Sequence, residues 1–169
     1  GLACVGCTVE NANNAISSDL NDFAEIQISA GVLSTGTIAV LDPIDTFPEG
    51  SVAGFTIQDL QSLVQLDLFE NLQICTYLNG VEQECSTVGN LINLTAVVDI
   101  FGGSSGLVNV GFETSLEYNE IRFTAGSLVS VNLLDTSIRV FGAFVDTRTA
   151  TGNGPNALNC DPNAVDDTV

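Results

Sequence analysis

The chain contains no histidine, lysine, methionine or tryptophan, and its 169 residues hold only three cations, Arg122, Arg139 and Arg148. Each absence removes a class of function. Histidine is the side chain that trades protons near neutral pH and the commonest ligand of transition metals. Without it, and without an amine, general acid–base or Schiff-base catalysis has little to work with, so no enzyme is expected. Against the three arginines stand 21 Asp and Glu, a net charge of −18. Nucleic acid needs its phosphates neutralised by Lys and Arg, so it is excluded as a partner. Anionic membrane surfaces are excluded for the same reason. No run reaches the roughly 18 uncharged apolar residues of a membrane-spanning helix, so no insertion is expected. Such a balance favours solubility, calcium as a counter-ion and salty water, where screening shortens self-repulsion to about 10 Å or less.

Disorder is excluded by the remaining composition. Hydrophobic residues make up 45% of the chain and charged ones only 14%, enough apolar matter for a sizeable core. Its length suits one sandwich domain. The start, Gly1 to Cys7, has neither the charged opening nor the apolar run of a signal peptide, so a secreted protein is expected here in mature form or as an excised repeat.

The hydrophobic period is that of β-structure. Residues alternate in Glu25 to Ser29, Val64 to Leu68 and Glu120 to Thr124, which puts apolar side chains on one face. More continuous runs at Thr37 to Leu41, Ala96 to Phe101 and Ile138 to Val145 read as strands buried on both faces or partly so. Turn residues punctuate them at Gly31, Ser34 to Gly36, Pro48 to Gly50, Asn79-Gly80, Gly102 to Gly106 and Glu117 to Asn119. Roughly ten strands at this spacing predict an all-β fold, an antiparallel two-sheet sandwich. Its expected core is Ile26, Ile28, Val40, Phe55, Ile57, Ile74, Val97, Phe112, Ile121, Phe123, Ile138 and Val140. Asn11 to Leu20 holds at most a short helical turn. The sandwich is expected over 1–147, and 148–169 as a polar tail or inter-repeat linker that docks on its own domain or on a neighbouring copy.

Five cysteines point to an oxidising compartment. Cys75 and Cys85 flank Asn79-Gly80, and a three-residue loop 79–81 would pair 78 with 82, 77 with 83, 76 with 84 and 75 with 85. The two sulfurs then face each other across a ladder, within bridging range. A two-residue turn would pair 75 with 84 instead. Cys4-Val5-Gly6-Cys7 has the spacing of a redox or zinc pair, but no βαβ pattern surrounds it and no histidine completes a zinc site. Either Cys4 or Cys7 bridges Cys160 in the same chain, or Cys160 bridges the next copy.

Weaker motifs carry little. Asn93-Leu94-Thr95 fits the N-glycosylation pattern but lies in an apolar strand and reads as chance. Gly102 to Gly106 lacks the lysine and following helix of a phosphate loop. No spacing among the acids singles out a glycosidase pair.

The stretch Asn14-Ala15-Ile16-Ser17-Ser18-Asp19-Leu20-Asn21-Asp22-Phe23-Ala24 resembles the Asn-Ala-Ile-Asp-Gly-Asp-x-x-Thr-x-Trp loop of the galactose-binding-like superfamily, which includes discoidin and coagulation-factor type C domains and many carbohydrate-binding modules. Ser137 to Ala143 is similar to the closing strand of those domains. The resemblance implies a jelly-roll sandwich. It also implies a structural calcium held by Asp19 and Asp22, with Asp135 a candidate third ligand and carbonyls and water completing roughly six to eight oxygens. Ser17, Ser18, Asp22 and Phe23 depart from the pattern, and an Asx-turn loop without metal stands as the alternative.

Over nearly its whole length the chain also resembles a repeat of very large surface proteins of Bacteroidota, including gliding-motility adhesins and other products of type IX secretion. The residues are Cys4-x-x-Cys7, the Asn14 to Ala24 stretch, Phe47-Pro48-x-Gly50-x-x-Ala53-Gly54-Phe55, Thr76 to Glu84, Val110-Gly111-Phe112, Asn119-Glu120-Ile121, Arg139-Val140-x-Gly142-Ala143 and Ala164 to Asp167. Asp167-Thr168-Val169 is similar to the O-glycosylation acceptor of that phylum, at Thr168. This second resemblance implies a non-enzymatic extracellular adhesive or filament-building unit at the cell surface, whose partners are neighbouring copies of itself. Head-to-tail assembly through 152–169 is expected, since a heterologous contact that does not close builds a linear array. The alternative is a carbohydrate-binding module that takes surface glycans, with Tyr77, Tyr118 and Phe47 as candidate aromatics.

Overall fold

A computed structural model of the chain describes residues 2–5, 7–17, 19, 21–28, 34–58, 72–86, 107–127 and 136–147. They form ten strands: β1 (Leu2–Val5), β2 (Cys7–Glu10), β3 (Ala24–Ile28), β4 (Ser34–Leu41), β5 (Val52–Gln58), β6 (Leu72–Leu78), β7 (Val81–Ser86), β8 (Leu107–Glu113), β9 (Glu120–Ser127) and β10 (Thr136–Asp146). The helical turn expected after Asn11 is a 3-10 helix over Ala12–Ile16. One sheet, A, runs β1-β4-β9-β6-β7, and the other, B, runs β2-β3-β10-β5-β8. Every pairing is antiparallel. The fold is thus the antiparallel two-sheet sandwich that the period-2 pattern predicts. The expected strands at 64–68 and 96–101 and the tail 148–169 lie outside the described residues.

Alternation along each strand turns one set of side chains inward. Sheet A contributes Ile38, Ile74, Ile121, Phe123 and Ala125, and sheet B contributes Ile26, Ile28, Phe55, Ile57, Phe112, Ile138 and Val140. Phe55 and Phe123 meet across the core with ring centroids 5.5 Å apart. Of the expected core, Val40 is only half-buried and Val97 is outside the described residues; the others are buried. β4 is covered mainly on one face: Ile38 points inward while Leu41 is 53% exposed.

The β6–β7 hairpin corrects the expected loop. Asn79 (φ 52°) and Gly80 (φ 81°) are both left-handed, the conformation of a two-residue turn that suits Asn-Gly. Leu78 therefore pairs with Val81 and Tyr77 with Glu82. A register shift between Thr76 and Tyr77 then passes over Gln83, so that Thr76 meets Glu84 and Cys75 meets Cys85. The predicted disulfide forms, with its Cα atoms 4.0 Å apart, but a tight turn plus a bulge produces it and not a three-residue loop.

β5 and β8 lie unusually close where Gly54 faces Gly111. A Cβ on Gly111 would stand 2.4 Å from the Ala53 carbonyl oxygen and 2.8 Å from the Gly54 Cα, backbone atoms that cannot rotate away. Gly111→Ala is expected to destabilise the fold by about 1–3 kcal/mol, read as a lower urea midpoint; an unmoved midpoint contradicts the close approach. Replacing both Cys75 and Cys85 by Ala removes closure of a short loop and is expected to cost at most about 3 kcal/mol. A larger loss in the same titration means that the hairpin register itself depends on the bridge.

Candidate functional site

Strand register sorts the polar side chains of sheet A onto its outer face. Cross-strand partners share a face, so Ala39, Arg122, Cys75 and Cys85 stand together, as do Leu41, Glu120, Tyr77 and Glu82 one step along. Between them the residues of the same strands, Ile38, Ile121, Phe123, Ile74 and Thr76, point into the core. Three adjacent strands, β9, β6 and β7, thereby present a connected set to solvent. The Arg122 guanidinium lies over the Tyr77 ring, 3.7 Å from its centroid, a cation–π contact. Its Nε donates to Glu120 Oε1 at 2.7 Å, and Tyr77 Oη donates to Glu82 Oε2 at 2.8 Å. One row away, the hydroxyls of Thr37 and Thr124 are 2.9 Å apart.

These contacts set the charge states. The hydrogen bond to Glu120, with its charge, pushes the Arg122 guanidinium above its ordinary pKa. Partial burial, then the bond to Glu82, pushes the Tyr77 phenol up, so it remains a donor throughout the physiological range. The Glu120 side chain is only 11% exposed and that of Arg122 34%, so the pair is partly withdrawn from water. Arg122 uses Nε on Glu120 and its planar face on Tyr77, which leaves guanidinium donors for another acceptor.

Sheet B has a counterpart. Arg139 lies 4.5 Å from the Phe23 centroid and its Nε is 3.4 Å from Glu25 Oε1. Gln27 and Thr8 extend the row at 3.3 and 3.1 Å. The Ser137 hydroxyl, ahead of Gln27 and Arg139, holds the Glu25 carboxyl below its ordinary range. Phe23 also packs on Phe141, with centroids 5.6 Å apart, so its ring is already engaged by two neighbours.

The loop expected to hold calcium is closed by its own hydrogen bonds. Asp19 Oδ1 accepts from the Asn21 backbone at 2.9 Å and from Asn21 Nδ2 at 2.7 Å, the Asp22 N–H donates to the Asp19 carbonyl at 3.0 Å, and Asn14 Nδ2 ties the loop to the Phe23 carbonyl at 3.0 Å. The backbone bond from Asn21, then the side-chain bond, holds the Asp19 carboxyl below the usual range. Asp135 lies outside the described residues. Among the described residues, Asp19 and Asp22 gather no third ligand side chain; one group that does come together, Cys75, Glu82 and Cys85, has its sulfurs in the disulfide. Cys7 is itself disulfide-bonded. The partner sulfur is not among the described side chains; Cys160 and Thr168 lie outside the described residues, as does the side chain of Cys4.

Of the three candidate aromatics, Tyr118 is fully buried, accepts a hydrogen bond from Ser51 Oγ at 3.0 Å and packs on Phe47 at 5.4 Å. Tyr77 alone stands on an outer face. Sequence reasoning missed its partners Glu82, Glu120 and Arg122. The alternation in Glu120 to Thr124 does place Glu120 and Arg122 on one face, but the three-residue loop paired Tyr77 with Gln83 and moved Glu82 off it. The remaining signal was Asn79-Gly80 itself, a two-residue turn.

No protein-family model matches the chain, and no curated protein does. Among solved structures, variants of CBM29-2, a family 29 carbohydrate-binding module, are similar over 86% of this chain at 13% identity. The variant complexed with mannohexaose gives a TM-score of 0.41, and two others give 0.40 and 0.39; each is covered over 79% of its own length. A likeness this loose identifies neither a family nor a ligand.

Asn21→Ala removes the side-chain donor but keeps the Asn21 N–H, so it is expected to raise the Asp19 carboxyl only part of the way toward its ordinary pKa, seen in an NMR titration of the carboxyl carbon; an unchanged value contradicts the bond from Asn21 Nδ2. Because the folded-state pKa is lowered, the turn's contribution is present above the ordinary carboxylate range and is lost as pH falls through the lowered value. The same loop tests calcium. An ion bound to the native loop raises the thermal midpoint by mass action, and a midpoint indifferent to calcium and to chelator removes the metal.

Proposed function

We propose that the chain is a non-catalytic binding module of an extracellular protein, and that the outer face of sheet A takes neutral glycans. The observation that carries this reading is the Tyr77–Arg122–Glu120–Glu82 set, four side chains linked to one another on three neighbouring strands. Sugars offer paired hydroxyls and an apolar C–H face. A guanidinium and carboxylates supply donors and acceptors to the first, and an aromatic edge supplies contact to the second. Mounting them on strands keeps their geometry, as a recognition site requires. A charge of −18 repels uronic or sulfated polysaccharides and leaves neutral ones as the class that fits.

Two further observations support the frame. Disulfide bonding at Cys75–Cys85 and at Cys7 suits an oxidising, extracellular compartment. Several described carboxylates are engaged in holding structure: Glu84 accepts from the Ser115 and Leu116 N–H groups at 2.7 and 3.1 Å, Glu25 from Arg139, and Asp19 from Asn21. The filament reading rests on 152–169, which lies outside the described residues.

The test is affinity electrophoresis against a panel of neutral polysaccharides with an anionic one beside them. The wild type is expected to be retarded by at least one neutral polymer and not by the anionic one. Arg122→Gln and Tyr77→Ala should each weaken that binding by about tenfold or more, while Arg139→Gln, on the opposite sheet, leaves it unchanged. Retention by no neutral polymer, or equal retention of all variants, contradicts the reading.

A further inference from the structure

We infer a second binding site at one end of the sandwich, for a small amine with an apolar body. The pairing of β3 with β10 stops at Ala24 and Val140, so from Gly142 to Asp146 β10 has a strand partner on the β5 side only. Against this stretch, where β4 ends and β9 begins, lies a cleft of about 260 Å³. Its walls include Val40, Phe47, Ile121, Ala143 and Val145. Four of these, Val40, Phe47, Ala143 and Val145, are apolar residues at the border of the core that stay only partly buried. Leu41, also in the lining, is 53% exposed.

The polar part of the lining says what would bind. Asn119 is largely turned to the β6–β7 turn: its Oδ1 accepts from the Asn79 N–H at 2.9 Å, its Nδ2 lies 3.5 Å from Asn79 Oδ1, and its backbone N–H donates to the Tyr77 carbonyl at 2.8 Å. Asp42 Oδ1 accepts from the Ile44 and Asp45 N–H groups at 2.9 and 3.0 Å, whereas Oδ2 has no hydrogen-bond partner among the described residues. Neither described arginine offsets its charge, since Arg122 and Arg139 are paired with Glu120 and Glu25. An apolar cleft lined by a carboxylate with one oxygen uncommitted, on a chain of charge −18, is complementary to an ammonium group carrying a hydrocarbon body. This site adjoins the glycan face of sheet A at Leu41 but does not rest on that reading.

The test is an NMR titration of the full chain at physiological salt with n-hexylammonium, 1-hexanol, hexanoate and ethylammonium. Hexylammonium is expected to shift the amides of Leu41, Asp42, Phe47, Ala143 and Val145 and to bind about tenfold more tightly than hexanol, with hexanoate silent. Ethylammonium reports attraction to the acidic surface at large and should leave these amides in place. Asp42→Asn keeps an acceptor for the Ile44 and Asp45 N–H groups, and should bring hexylammonium down to the affinity of hexanol. Ala143→Leu, with its fold checked by circular dichroism, should fill the cleft and abolish both. No shifts with hexylammonium, shifts scattered over the surface, equal binding of hexanoate, or an unchanged cation preference in Asp42→Asn overturns the proposal.

Discussion

An arginine laid on an aromatic ring and tied to a glutamate is the contact on which each outer face of this sandwich depends. The chain has three arginines to set against 21 acids, and both described ones are used in this way, Arg122 on sheet A and Arg139 on sheet B. The arrangement answers a physical problem. Glu82 and Glu120 on the face of sheet A, and Glu25 on that of sheet B, add negative charge to faces of an already acidic protein. One cation placed on each, with its flat side against a ring, offsets that charge without exposing more apolar surface. On sheet A the ion pair is the better withdrawn from water, with Glu120 nearly buried. Removing Arg122 would leave that carboxylate without its partner, the costly way to break such a pair.

The faces can be this ordered because the layer beneath them is close-packed. Phe55 and Phe123 join the two sheets, and the strands that carry Arg122 and Tyr77 turn Phe123, Ile121, Ile74 and Thr76 inward on alternate positions. The disulfide crosses β6 and β7 one step from Tyr77 and Glu82. Beyond Ala24 and Val140 the described residues at the border of the core are only partly buried, and Asp42 lines the cleft beside them. The two proposed sites therefore differ in character, a polar face over a filled core and an apolar cleft at the border of the described core.

The architecture was legible in the sequence because period-2 alternation is a local signal that survives without knowledge of partners. Ile26, Ile28, Ile121 and Phe123 could be placed inside from their own neighbours alone. The Cys75–Cys85 bridge was legible too, though through the wrong turn: a β-bulge at Gln83 is a tertiary choice that leaves no mark on composition. The face was not legible for the same reason. It is assembled from strands β9, β6 and β7, and Arg122 meets Tyr77 only once β6 is known to lie between the other two. The Asn14 to Ala24 motif was legible as a loop. Its asparagines and Asp19 are explained by hydrogen bonds that close the loop, Asn14 to the Phe23 carbonyl and Asn21 to Asp19.

The scarcity of cations offers a direct readout of the central claim, that the Arg122 face of sheet A receives a neutral saccharide. With no lysine and three arginines, the side-chain Nε–Hε region of a ¹⁵N–¹H spectrum holds one signal for each of Arg122, Arg139 and Arg148, assignable by substitution. Titration with an oligosaccharide cut from a retained neutral polymer is predicted to move the Arg122 signal in proportion to occupancy and to leave that of Arg139 in place. A saturable interaction that moves the Arg139 signal, or neither of the two, would contradict the account.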